Sequence, residues 1–205
     1  MLGRFLELSV HAPAILESID FWEQLGFRQV ETNDVWTHPY AVVSDGTLVL
    51  GLHAYAFDSP ALTFVRPDLA AHVPALRKLG VEFEFAKTAD DEFHEAGFLS
   101  PDGLMVTLLE TRTHSPPAFE DTGFSKAGAF DALELPTRRI DRSLPFWAKL
   151  GLAVRDYDED AATATLAAGP LTVRLTEDPK RKTPTLVYRQ DGERIVSPEG
   201  LVILA

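Results

Sequence analysis

Phe21-Trp22-Glu23-Gln24-Leu25-Gly26-Phe27 and Phe146-Trp147-Ala148-Lys149-Leu150-Gly151-Leu152 stand 125 positions apart in one chain. The match extends backwards without a gap. Phe5 falls on Phe130, Leu8 on Leu133, Ile15 on Ile140 and Ser18 on Ser143, giving eight identities in the 22 positions from Phe5 to Gly26. Chance supplies roughly one. A second echo closes each half: Ser100-Pro101-Asp102-Gly103-Leu104 resembles Ser197-Pro198-Glu199-Gly200-Leu201. The chain is an internal duplication.

Both halves begin with a period-2 apolar run, Leu6, Leu8 and Val10 in one, Leu133 and Leu135 in the other. A helix follows in each. Ile15, Leu16, Ile19, Trp22 and Leu25 recur at helical spacing before Gly26, and Ile140, Leu144, Trp147 and Leu150 do so before Gly151. Trp22 and Trp147 therefore read as core residues. Strands are expected at Gln29–Asn33, Trp36–Ser44 and Leu48–His53, with Asp45-Gly46 as a hairpin turn, and again at Val154–Tyr157, Ala162–Ala167 and Leu171–Thr176. The first half continues through Leu62–Val65, a second helix marked by Leu69, Val73, Leu76 and Leu79, and three more strands ending near Glu110.

The fold class is thus α+β, two tandem βαβββ units: 1–110, a linker over 111–128, and 129–205. Pro60 to Ser100 spans 40 positions and Pro184 to Ser197 only 13, so the second unit lacks 27 residues (40 − 13) and with them its second helix. The sheet face bearing Leu186 and Tyr188 is left needing cover, from a partner subunit in a homodimer or from another segment.

Composition narrows the chemistry. The 205 residues include no cysteine, which removes disulfides, thiolate metal sites and cysteine nucleophiles. A net charge of −12 (19 basic, 31 acidic) argues against nucleic acid or an anionic membrane as partner. No apolar run reaches the ~18 residues of a membrane span, and Met1–Phe5 opens a strand-like run instead of a signal peptide. A cytoplasmic location is the default expectation. No Gly-rich phosphate loop, Gly-x-Ser-x-Gly elbow or His-Glu-x-x-His helix occurs.

The paired helix signatures, with Pro101-Asp102-Gly103 and Pro198-Glu199-Gly200 near the strand ends, resemble the vicinal oxygen chelate superfamily. That superfamily includes glyoxalase I, extradiol ring-cleaving dioxygenases, fosfomycin-modifying enzymes and bleomycin-resistance binding proteins. The resemblance implies curled sheets enclosing a cavity, and in its metal-dependent members His and Glu ligands projecting from the first, fourth, fifth and last strands. Carried over residue by residue, those positions are Glu7 and Ala132, Gly51 and Arg174, Ala61 and Thr185, and Thr107 and Leu204. Only Glu7 is a metal ligand by type, where about three are needed. No metal site and no cofactor are therefore expected. The alternative is a divalent ion displaced toward Glu7 and His53.

Strand parity from the same positions turns Phe5, Glu7, His53, Thr107, Phe130, Glu134 and Arg174 into the cup, with Trp36 and Tyr40 beside them. An inward glutamate needs a partner, for which Arg174 is the expected residue, and Glu134 with Arg174 is either a structural pair or part of a ligand seat. Glu7 is also a candidate general base. The reading is a metal-free binder of a small aromatic or cationic molecule. A metal-dependent lyase or ring-cleaving dioxygenase is the first alternative, and a degenerate paralogue serving as an interaction module the second.

Overall fold

The computed structural model describes residues 1–32, 37–110, 125–189 and 192–205. The expected site residue Trp36, and residues 111–124 of the expected linker, lie outside them. In chain order the first half comprises β1 (Arg4–His11), α1 (Ile15–Gln24), β2 (Arg28–Val30), β3 (Tyr40–Ser44), β4 (Val49–His53), β5 (Ala61–Val65), α2 (Leu69–Lys78), β6 (Phe83–Lys87), β7 (Glu95–Leu99) and β8 (Met105–Leu109). The second comprises β9 (Phe130–Thr137), α3 (Ile140–Lys149), β10 (Ala153–Asp158), β11 (Thr163–Ala168), β12 (Leu171–Glu177), β13 (Thr185–Tyr188), β14 (Arg194–Val196) and β15 (Val202–Leu204).

The motif count is finer than the sequence pattern suggests. Within the first half, β1-α1-β2-β3-β4 and β5-α2-β6-β7-β8 are each a βαβββ motif, and they join through β1 and β5 into one eight-stranded sheet. The second half repeats this with β9 and β13 at the joint, but its second motif keeps only three strands. The missing 27 residues remove a helix and one strand, leaving seven strands in that sheet.

Why these segments fold so is visible locally. Gly26 and Gly151 follow the repeated helices at φ +96° and +102°, a left-handed conformation that closes a helix without a Cβ penalty. Trp22 and Trp147 are fully buried, as their spacing predicts, each with its neighbouring phenylalanine edge-on at 5.3 Å.

One hydrophobic cluster runs through both halves. Phe98 of β7 meets Phe146 of α3 edge-on, with ring centroids 6.3 Å apart. The Tyr188 hydroxyl donates to Asp45 Oδ2 at 2.9 Å, and Lys126 N–H donates to the Leu25 carbonyl at 2.8 Å. Leu186 and Tyr188 are buried in this cluster. Another segment of the same chain therefore covers these two side chains. No helix among the described residues is long and apolar enough to cross a membrane.

Candidate functional site

Each sheet has one face on the shared core and one turned into its own cup. In β1 and β9 a bulge decides which side chain goes where. Phe5 pairs with Phe64 and Glu7 with Thr63, leaving Leu6 as the extra residue. In β9, Phe130 pairs with Tyr188 and Ala132 with Val187, leaving Asp131. The two bulges are 125 positions apart, the repeat offset. Strict alternation places Phe5 and Phe130 in the cups. The bulge reverses parity at its N-terminal side, so both pack on the core side, Phe5 edge-on to Phe64 at 5.7 Å and Phe130 to Tyr188 at 5.5 Å. Leu6 and Asp131 take their cup positions, and Leu6 forms a small apolar cluster there with Val65 and Leu109.

The first cup is filled by its own side chains. Glu7 is buried, and its carboxylate accepts hydrogen bonds from Ser9 Oγ (2.7 Å), Tyr40 Oη (2.7 Å) and His53 Nε2 (2.9 Å). On its other side, His53 Nδ1 lies 3.0 Å from His38 Nε2, within hydrogen-bond distance. Ser9 continues the chain to Thr63 Oγ1 at 2.6 Å. Burial pushes the Glu7 carboxyl up, but the bond and charge of His53, then the bonds from Tyr40 and Ser9, outweigh it and hold the carboxyl below its ordinary value. Gly51 makes room: a Cβ there would lie 2.1 Å from the Glu7 carboxylate. Phe85 likewise lies over Gly97. Thr107 stands between Thr63 and Gly97 in register, two strands from Glu7.

One expectation is corrected here. The partner of Glu7 is the His53, Tyr40 and Ser9 set and not Arg174, which belongs to the other sheet. The Glu7 carboxylate, named as a candidate base, is already engaged by three donors.

The second cup is open. All five residues of β5 are buried, whereas β12 alternates buried residues with half-buried ones, Thr172, Arg174 and Thr176. Arg174 and Glu134 are register neighbours, but Arg174 Nη1 and Glu134 Oε2 are 4.0 Å apart and each side chain has a nearer partner. Arg174 Nη2 donates to Asp131 Oδ2, and Arg181 Nη2 to Glu134 Oε1. Arg189 Nε reaches Asp131 Oδ1 at 2.9 Å. Burial raises the Asp131 carboxyl, and the Arg174 and Arg189 bonds more than reverse that, holding it below its ordinary value. Sequence reasoning finds Glu134 and Arg174 by parity. It misses Asp131, which the bulge turns inward, and Arg181, which reaches in from a loop.

A cavity of about 780 Å³ lies at the seam of the halves. Equivalent parts of both halves line it: the Asp58-Ser59-Pro60 and Lys182-Thr183-Pro184 turns, and Asp102 and Glu199 of the two strand-end turns.

Comparison with solved structures places this architecture. A catechol 2,3-dioxygenase matches 98% of this chain and 86% of its own, at 12% identity and TM-score 0.61. Homoprotocatechuate 2,3-dioxygenase from Arthrobacter globiformis matches 98% and 78%, at 14% identity and TM-score 0.65. The chain has the vicinal oxygen chelate fold. A third structure with this fold, the Mn(II)-bound glyoxalase from Novosphingobium aromaticivorans, matches 98% and 80%, at 14% identity and TM-score 0.64. No protein-family model matches the sequence, and no curated protein matches it either. At such identities the vicinal oxygen chelate likeness concerns the fold, and function rests on the residues.

Those residues do not fit the divalent ion that the fold's metal-dependent members hold. At the ligand positions stand Glu7 and Ala132, Gly51 and Arg174, Ala61 and Thr185, and Thr107 and Leu204. Glu7 is engaged by three donors, the space at position 51 is occupied by the Glu7 carboxylate, and position 174 brings a cation. His53 has both ring nitrogens hydrogen-bonded. No group of three His, Asp or Glu residues disposed to hold a metal occurs among the described residues. At the displaced site of Glu7 and His53 no third ligand stands among the described residues, and both ring nitrogens of His53 are engaged.

Proposed function

We propose that this protein is a metal-free small-molecule-binding protein, and that its ligand seat is the second cup. The observation that carries the reading is the cluster of three guanidiniums, Arg174, Arg181 and Arg189, against two carboxylates, Asp131 and Glu134, on a half-open sheet face. The local balance is +1 in a chain of net charge −12. Arg181 also has a buried Nε–H with no acceptor in the protein. Such a cluster favours a ligand with an anionic end such as a carboxylate, because guanidinium forks match two oxygens. This narrows the ligand against the whole-chain charge, which by itself points to a cation. The filled first cup supports a structural role for Glu7 and His53 instead of a catalytic one.

The test is titration calorimetry with simple aromatic carboxylates such as benzoate, beside the uncharged amides of the same acids, on protein of measured metal content. Saturable binding of the acids alone is expected, lost at least tenfold in Arg174→Ala, with no stoichiometric divalent ion. Equal binding of acids and amides, or one tightly held divalent ion per chain, would overturn the reading.

A further inference from the structure

The seam cavity holds an asymmetry that the duplication exposes. In the first half, Asp102 of the Pro101-Asp102-Gly103 turn is fully partnered across the seam. It accepts Thr137 Oγ1 at 3.0 Å and Arg138 N–H at 3.1 Å on one oxygen, and Ser143 Oγ at 2.5 Å on the other. Its counterpart in the second half is Glu199. The counterparts of its three donors, 125 positions back, are Ala12, Pro13 and Ser18. Alanine has no hydroxyl, proline has no N–H, and the Ser18 hydroxyl points to the Ala14 carbonyl at 3.4 Å. Both oxygens of Glu199 are shielded from solvent, and neither has a hydrogen-bond partner.

A carboxylate in that condition is costly unless something supplies donors. Glu199 stands in the wall of the 780 Å³ cavity, within the size range of small-molecule sites. The charged side chains in that wall are Asp58, Asp102, Glu199 and Lys182, three acids against one base. His11 and Phe57 lie beside them, edge-on at 6.5 Å. A cation that also donates hydrogen bonds suits this lining, and an anion does not.

We infer that the seam cavity is a second binding site, separate from the arginine cup, which takes a small organic ammonium toward which the covered Glu199 carboxylate turns to accept its N–H groups. The duplication left Glu199 without the donors that Asp102 keeps, and the ligand replaces them. Benzylammonium serves as the probe, and tetramethylammonium, which has charge but no N–H, as its control.

Titration of the full chain, followed by heat and by chemical shift, is expected to show benzylammonium binding and tetramethylammonium binding at least tenfold weaker. Glu199→Gln keeps the shape and removes the charge. It should weaken benzylammonium at least tenfold, while Arg174→Ala leaves it unchanged. Ala12→Thr restores the donor found at position 137, and should raise the melting temperature and weaken benzylammonium together. Unaltered benzylammonium binding in Glu199→Gln, or equal binding of the two probes, overturns the site. Loss of benzylammonium binding in Arg174→Ala with retention in Glu199→Gln would assign the amine to the cup instead. Failure of benzoate to bind the cup has no bearing on this outcome.

Discussion

Gly51 and Glu7 show how one missing side chain fixes a buried charge. The Glu7 carboxylate occupies the space that a Cβ at position 51 would need, 2.1 Å from it. Gly51→Ala is expected to cost about 1–3 kcal/mol, as overpacking in a closed core does, and urea unfolding would measure it. The same carboxylate sets an acid limit on stability. Its folded-state pKa lies below the unfolded one, so its contribution is complete above about pH 4.5 and is lost as pH falls through the lower folded value. His38 adds to this from the other end of the relay. Burial, then the charge of His53, holds its imidazole below the ordinary value, so its contribution fades as pH falls below about 6.5. Stability of the wild type should decline from pH 7 to pH 4, and Glu7→Gln should flatten the steep part below pH 4.5. An unchanged acid limb in that variant would show that Glu7 is not the titrating group.

At the scale of elements, the repeated bulge in β1 and β9 matters most. It lets Phe5 reach the core although Glu7, two residues on, faces the cup. Deleting Leu6 removes the bulge but leaves Phe5 in regular alternation before Glu7, still opposite Phe64, so only the Leu6 contacts with Val65 and Leu109 are lost. A loss of about 2–5 kcal/mol, as for truncating a buried leucine, is expected, and a chemical denaturation midpoint equal to the wild type would refute a packing role for Leu6. The repeated helices make a second case. Trp22 and Trp147 sit under their own sheets at 0% and 1% exposure, and either tryptophan replaced by alanine should cost about 3–5 kcal/mol. Similar losses at both positions are expected, because the helix signatures and their burial repeat.

Across the whole molecule, the halves hold each other through side chains that neither half uses alone. Tyr188 of the second half donates to Asp45 in the β3–β4 turn of the first, and both are buried. Burial, then the Asp45 charge and bond, pushes the Tyr188 hydroxyl well above its usual pKa, so it stays a proton donor at any working pH. Tyr188→Phe leaves Asp45 Oδ2 without that donor and should cost about 1–3 kcal/mol. Because the hydrophobic cluster is continuous, the wild type and this variant should each unfold in one transition by fluorescence and by circular dichroism. Two separated transitions would mean that the halves fold independently.

The sequence by itself determined the duplication, the three helices, the burial of the two tryptophans and the poverty of metal ligands. These are properties of residue type and spacing, and apolar periodicity records them directly. It also put Glu7 beside His53 and Glu134 beside Arg174, because alternation along a regular strand is reliable over a few residues. Tertiary structure alone decided the rest. The bulges sent Phe5 and Phe130 to the core and Asp131 to the cup, since one extra residue reverses parity and leaves no mark in an apolar pattern. Two of the partners of Glu7, Tyr40 and His53, come from β3 and β4, and those of Glu134 and Asp131 include arginines beyond β12. Charge pairing across strands depends on register and on loops that return from far along the chain, and local spacing carries no record of either.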